Sequence, residues 1–157
     1  MAKEGGKGDG AKAGAGAGRA DPKVLEALKR IHSNELSGMV RYLHYAHMIF
    51  GANRIPIVAW LKEQATEAMD HAWGVGEKIT AFGAHPDMRV SAMPESGKHS
   101  VLDVRREALD FERRGLDDYL DLLTLVEGDP GLEDWVRGFI AAETEHLEDA
   151  EKMLRTM

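Results

Sequence analysis

A helical spacing of apolar residues runs through most of the sequence after residue 20, and it limits the fold more than any other feature. In the first segment with this spacing, apolar side chains recur every three or four positions between Leu25 and Phe50. Three later segments repeat the pattern, and none alternates with the two-residue period of a strand. The spacing predicts an all-α fold.

Cap and turn residues indicate where four helices begin and end. The dipeptide Asp-Pro opens the first helix at Asp21 and the fourth at Asp129, and a capping box opens the third at Ser100. The predicted helices span about 22–50, 54–81, 101–127 and 130–157. Residues 84–99 carry Pro, Gly and Ser without a period, whereas the other two links are short. Because short links make antiparallel neighbours, we predict a four-helix bundle with a long crossover between helices 2 and 3.

Two features inside these helices lead to local predictions. Gly74 and Gly76 each cost about 1 kcal/mol relative to Ala in a helix, so we expect them to allow a neighbouring helix or a bound group to approach closely. The residues of the third helix predicted to face inward are Leu102, Leu109, Leu116, Leu123 and Val126.

Residues 1–20 form a low-complexity run of Gly, Ala and Lys ahead of the predicted bundle, which occupies residues 21–157. The run offers nothing to bury and is predicted to be a flexible tail. Its small excess of basic residues would allow a contact with DNA or a partner, but a solubilising role is the simpler interpretation.

Composition limits the available chemistry. The absence of cysteine excludes disulfides, thiolate metal sites and a cysteine nucleophile, so a metal would have to be bound by the 7 His and 27 Asp plus Glu. The net charge of −7 makes nucleic acid an unexpected partner. No stretch has the ~18 apolar residues of a membrane span or the look of a signal peptide, so we expect no membrane contact and a cytoplasmic location.

Acids and histidines stand at positions where the helical spacing predicts a core. They are Glu35 in the first helix, His71 in the second, Glu112 in the third, and Glu143 with His146 in the fourth. A carboxylate buried alone is very costly, so such groups pair, protonate or bind a metal. The i, i+3 spacing of Glu143 and His146 places both on one helix face.

The two predicted hairpins repeat this polar set. In each, a Glu is followed after seven residues by a Tyr and after 36 or 34 residues by a His; the sets are Glu35, Tyr42 and His71, and Glu112, Tyr119 and His146. A single Glu-x-x-His motif carries little weight, but the joint arrangement predicts a dinuclear metal site. Oxygen and imidazole ligands suit iron or manganese, and spacing does not choose between them. The tyrosines either fill the core with the hydroxyl bonded to a Glu or have a redox role.

Three motifs carry a family resemblance: Asn34-Glu35-Leu36 followed by Tyr42, Ala46 and Met48; Met69-x-His71-Ala72; and Glu112 followed by Glu143-x-x-His146. With these motifs, residues of about 24–150 resemble bacterioferritin and, more broadly, the ferritin-like superfamily. The resemblance implies a ferritin-like bundle with a dinuclear iron centre. It also implies ferroxidase activity, the oxidation of Fe(II) by dioxygen or peroxide, in iron storage or detoxification.

The resemblance further implies the ligands and catalytic residues. Five of the six family positions match, namely Glu35, His71, Glu112, Glu143 and His146. The sixth, a Glu three residues before His71, is Ala68 in this sequence. We expect Glu67 to replace it, because residues i and i+4 also share a helix face. The rival hypothesis is a site with five protein ligands, completed by water or holding one metal tightly.

Met69 stands where bacterioferritins supply a haem ligand across a two-fold dimer interface; simple packing at a helix interface is the slightly favoured alternative. Only eleven residues follow His146, so we expect the fifth helix of cage-forming relatives to be absent. A homo-oligomer, at least a dimer, is expected, and cage formation stays open.

Two other interpretations remain at this point. One is another ferritin-like oxidoreductase, such as a manganese catalase-like or peroxidase enzyme. The other is a non-enzymatic bundle that binds haem or a protein partner, with its metal site altered at Ala68. The remaining histidines fall off the inward stripes and are predicted to lie at the surface or an interface; they are His32, His44, His47, His85 and His99.

Overall fold

The computed structural model describes residues 21–155, which form four helices and no strand. The helices are α1 (Pro22–Met48), α2 (Arg54–Ala81), α3 (Val101–Leu125) and α4 (Pro130–Leu154). α1 packs along α2, α3 packs along α4, and α1 packs against α3. The predicted all-α bundle of two hairpins joined by a long crossover is confirmed. The tail predicted for residues 1–20 lies outside the described residues.

The helix ends follow the local chemistry closely. The side chains of Asp21, Ser100 and Asp129 accept hydrogen bonds from backbone N–H groups of the first turns of α1, α3 and α4. The turns after α1 and α3 each contain a glycine with positive φ, Gly51 at 92° and Gly128 at 91°. These turns begin slightly earlier than expected, so α1 and α3 end two residues before the predicted positions.

The core consists of two apolar clusters separated along the bundle axis. One includes Leu28, Ile31 and Ile79, and the other includes Ala46, Ile49 and Leu61. Along α1, Glu35 lies between the residues of the first cluster and those of the second. The polar positions of the sequence therefore occupy the middle of the bundle.

One inward prediction for α3 is wrong. Leu102 is 48% exposed, because the N-terminal part of α3 turns Val104 and Ala108 toward the core instead. The prediction for Gly74 agrees with the packing, since a Cβ there would lie 3.2 Å from Cζ of Phe139 in α4.

The crossover runs from Gly83 to His99 without regular secondary structure and lies along α1. The hydroxyl of Ser33 donates to the carbonyl of Arg89 at 2.9 Å, and the hydroxyl of Ser91 donates to the side-chain oxygen of Asn34 at 2.7 Å. None of the helices in the part of the chain that the structure describes has the length and hydrophobicity of a membrane-spanning segment.

Candidate metal centre

Four helices bring the five expected ligands to the middle of the bundle. Glu35 comes from α1, His71 from α2, Glu112 from α3, and Glu143 with His146 from α4. The three carboxylates are buried, and both histidine side chains are only about one-seventh exposed. Among the described residues, these carboxylates have no lysine or arginine within ion-pair distance, and their basic neighbours are the two imidazoles.

The ligands form two groups that share one carboxylate. Glu35, His71 and Glu143 each offer one ligand atom within 4.8 Å of the others, and so do Glu112, Glu143 and His146. Nδ1 of His71 lies 2.8 Å from Oε1 of Glu143, while Nδ1 of His146 lies 4.0 Å from Oε2 of the same residue. The two oxygens of Glu143 thus face different imidazoles, which is the placement a bridging carboxylate needs.

Two tyrosines hold carboxylates of the centre across the interface between the hairpins. The Tyr119 hydroxyl donates to Oε1 of Glu35 at 2.7 Å, and the Tyr42 hydroxyl donates to Oε1 of Glu112. Both tyrosines are fully buried, so they fill the core and satisfy a ligand oxygen at once. The hydrogen bonds predicted between these tyrosines and glutamates of the core are confirmed.

Burial and the crowding of negative charge perturb the protonation of the centre. Burial raises the pKa of Glu35, the hydrogen bond with His71 opposes this, and the charge of Glu143 adds to it. Burial and the charge of Glu143 raise the pKa of Glu112 well above its usual value. Burial lowers the pKa of His71, but hydrogen bonds to Glu143 and Glu35 outweigh it and raise the value to about 10. Burial and the nearby Glu35 carboxylate also raise the pKa of Tyr119. Without a metal, the centre therefore retains protons.

Glu67 lies at the edge of the centre, and Ala68 points into it. Oε1 of Glu67 is 3.1 Å from Nε2 of His146, and its other oxygen accepts a hydrogen bond from Gln64 at 3.0 Å. Ala68 is buried, and both residues line the cavity that contains the five ligands. The side chain of Glu67 remains 45% exposed. Helix α2 thus places the carboxylate of Glu67 beside His146, even though the next position, Ala68, carries only a methyl group.

A surface recess adjoins the centre on the side of Glu67. Glu63, Glu67, Glu145 and Asp149 supply its acidic walls, and it shares Glu67 and His146 with the inner cavity. A cation approaching through this recess would meet Glu67 first and the buried carboxylates afterwards.

Met69 lies on the outer side of α2 rather than in the centre and is 48% exposed. Histidines predicted to lie off the inward stripes do not join the centre. Two of them, His44 and His99, instead flank Glu95 of the crossover. Sequence spacing gave no sign of this contact, because His44 is separated from the other two residues by the last turn of α1, all of α2 and most of the crossover.

Comparisons with known proteins agree with this arrangement. A family model described as a ferritin-like domain matches residues 25–157. A ferritin-like diiron-carboxylate protein from Bacillus anthracis strain Ames superposes with a TM-score of 0.80 at 21% identity, covering 85% of this chain and 96% of its own. The bacterioferritin of Desulfovibrio desulfuricans, whose diiron site was described in different catalytic states, gives a TM-score of 0.77 at 22% identity. Here the coverage is 84% of this chain and 78% of the other. No curated protein matches the sequence.

Proposed function

We propose, from the premise that this chain belongs to the ferritin-like family, that it binds two iron ions in the bundle and oxidises Fe(II). The oxidant would be dioxygen or peroxide, and the product would enter iron storage or detoxification. The observation that carries the proposal is the sharing of Glu143 between two ligand groups, because a bridging carboxylate implies two metal positions.

The donor set fits iron in charge as well as in chemistry. Carboxylate and imidazole ligands without sulfur suit iron, and carboxylates stabilise the higher oxidation state. With Glu67 included, four carboxylates face the centre, so their charge would balance two divalent cations. Manganese uses similar ligands, and it is the second candidate metal.

In this proposal each side chain has a distinct task. Glu143 bridges the two positions, His71 and His146 are terminal ligands, and Glu35 and Glu112 each complete one group. Tyr119 and Tyr42 orient these last two carboxylates by donating to one oxygen and leaving the other free. Because ligands must be deprotonated to bind, metal uptake would release the protons that burial retains on Glu35 and Glu112 and that hydrogen bonds to carboxylates retain on His71.

Aerobic oxidation of Fe(II), combined with metal analysis, tests the proposal. We expect the chain to bind two iron ions and to accelerate formation of Fe(III), and Glu143→Ala to abolish both. Anomalous diffraction at the iron edge would locate the ions directly. A chain that binds no iron at the centre, or binds it without any acceleration, would support the non-enzymatic alternative.

Substitution of Glu67 decides whether it replaces the ligand missing at Ala68. We propose that Glu67 contributes to the metal position beside His146, which its contact with Nε2 supports. Glu67→Ala should then lower the iron bound per chain, whereas Glu63→Ala, which removes another acid of the same recess, should not. Unchanged stoichiometry in Glu67→Ala would favour five protein ligands.

We also propose a homodimer formed through the outer surface of the first hairpin. Large apolar side chains are exposed there on both helices, including Leu43, Met69 and Trp73. If Met69 binds haem, one Met per chain supplies both axial ligands only in a symmetric dimer. We expect light scattering to give twice the chain mass, and Trp73→Glu to give the monomer.

Protein produced with haem available should show a Soret band that Met69→Leu removes; without that band, the haem hypothesis is wrong.

A further inference from the structure

The crossover and α1 bring together a second group of ligand-type side chains, distinct from those of the bundle centre. His44 belongs to the last third of α1, whereas Glu95 and His99 lie near the end of the crossover. Each offers one nitrogen or oxygen, and the three atoms lie within 4.8 Å of one another.

The atoms of this group lie slightly closer together than the ligands of one bound ion would. Nε2 of His44 lies 2.5 Å from Oε2 of Glu95, and Nε2 of His99 lies 3.0 Å from Oε1. Two ligands of a tetrahedral ion with bonds of 2.0–2.1 Å are separated by roughly 3.3 Å. Small movements of the Glu95 side chain would therefore admit an ion without any change in the helix.

The local hydrogen bonds leave the ligand atom of His44 available, while Nε2 of His99 is hydrogen-bonded to Oε1 of Glu95 at 3.0 Å. Nε2 of His44 is shielded from water and, although it faces Glu95, has no hydrogen bond of acceptable geometry. Glu95 accepts a hydrogen bond from the backbone N–H of Gly97 at 3.0 Å, and this bond lowers the pKa of its carboxyl. Gly97 adopts a positive φ of 69°, which turns the chain so that Glu95 and His99 approach the same point.

We propose that His44, Glu95 and His99 form a binding site for a divalent transition metal, with a remaining position open to water. Two imidazoles and one carboxylate form a ligand set that suits zinc well. All three side chains are partly exposed, by 43%, 51% and 24% in that order, so the site lies at the surface of the bundle.

An ion at this site would attach the end of the crossover to α1. The middle of the crossover is already held by the hydrogen bonds of Ser91 with Ser33 and Asn34. His99 directly precedes Ser100, whose hydroxyl caps α3. The metal would therefore restrain the segment between Ser91 and the start of α3.

Zinc titration of the full metal-stripped chain tests the assignment. We expect His44→Ala and His99→Ala each to bind one equivalent less zinc than the wild type. His47→Ala, which removes an exposed histidine of the same helix, should bind as much as the wild type. Since the bundle centre is intact in every variant, these differences do not depend on how much zinc it takes. Equal stoichiometry in all four proteins, or an equal loss in His47→Ala, would overturn the assignment.

Limited proteolysis tests the proposed site independently of the zinc stoichiometry. Lys98 lies between two of the proposed ligands, whereas Arg89 lies outside the site. Zinc should slow tryptic cleavage after Lys98 in the wild type while cleavage after Arg89 changes little. His44→Ala should lose this protection, with its helix content checked by circular dichroism. Absence of protection in the wild type, or the same protection in the variant, would show that the site does not bind zinc.

Discussion

At the residue scale, the tyrosine hydroxyls decide how the carboxylates of the centre are presented. Tyr119 leaves one oxygen of Glu35 free by binding the other, and Tyr42 does the same for Glu112. Each hydroxyl is buried and would lose its partner if the carboxylate turned away. Both carboxylates are therefore already orientated in the metal-free protein.

Tyr119→Phe should weaken metal binding while leaving the fold intact. The substitution removes the donor to Glu35 without changing the volume of the core much, so the carboxylate loses its fixed orientation. Loss of such a supporting hydrogen bond lowers metal affinity on the order of 10- to 100-fold. Titration with Fe(II) under anaerobic conditions, followed by circular dichroism, measures both quantities.

Tyr45→Phe provides the matched control for this prediction. Tyr45 is also buried and also donates to a glutamate of α3, but its partner Glu107 lies outside the centre. Metal affinity should stay at the wild-type value in this variant. Equal losses in the two variants would mean that the effect comes from packing rather than from the ligand.

The limits of sequence-based prediction also lie at this scale. Glu35 and Glu112 were predictable because a carboxylate inside an apolar helical stripe has few stable alternatives. The contribution of Glu67 was only a hypothesis, because its position one residue from Ala68 leaves the direction of the side chain to the packing. The contact of His44 with Glu95 was not predictable, since the path of an irregular crossover has no periodic signal.

At the element scale, α1 and α3 form the main contact between the two hairpins. Gly38 of α1 lies opposite Phe111 of α3, and an added Cβ would come within 2.8 Å of its ring. The ring itself packs edge-on against Tyr42, which limits how far it can move away. A side chain at position 38 would therefore disturb the tyrosine that supports Glu112.

Gly38→Ala is expected to destabilise the protein. Overpacking at a close helix contact costs about 1–3 kcal/mol, which exceeds the gain in helix propensity. The control is Gly138→Ala in α4, where an added Cβ would meet nothing within 4 Å. That variant should gain about 0.5–1 kcal/mol from helix propensity. Urea unfolding of the two metal-free variants measures both changes, and a stabilised Gly38→Ala would show that Phe111 adapts freely.

At the scale of the whole molecule, the buried centre couples folding to pH. Glu35 and Glu112 keep protons in the fold at a pH where the unfolded chain has lost them, because their pKa values are raised. His71 keeps its proton up to a pKa of about 10, compared with 6.5 when unfolded. In all three cases the native state binds more protons, so the free energy of unfolding falls as pH rises.

The metal-free protein should therefore lose stability as pH rises from 5 to 9. The carboxylates contribute first, above their unfolded pKa near 4.5, and His71 contributes between 6.5 and about 10. Thermal unfolding with a chelator present should show Tm falling across this range, with a smaller fall in Glu112→Gln. Bound metal should oppose the trend, because its affinity rises as the ligands deprotonate. A metal-free wild type whose Tm rises with pH, or falls no more than that of Glu112→Gln, would contradict this account.

Each hairpin supplies the other with one tyrosine hydroxyl and one glutamate carboxylate. If the two hairpins exchanged places, the hydrogen bond from Tyr42 to Glu112 would superpose on the one from Tyr119 to Glu35. His71 would likewise superpose on His146. Two copies of the second hairpin would thus satisfy each other's tyrosine and glutamate partners with no covalent link between them, whereas the first hairpin carries Ala68 where the second carries Glu143. What the crossover adds is a tether, which turns an association of two molecules into a step within one chain. The carboxylates of the centre therefore meet at any dilution of the protein.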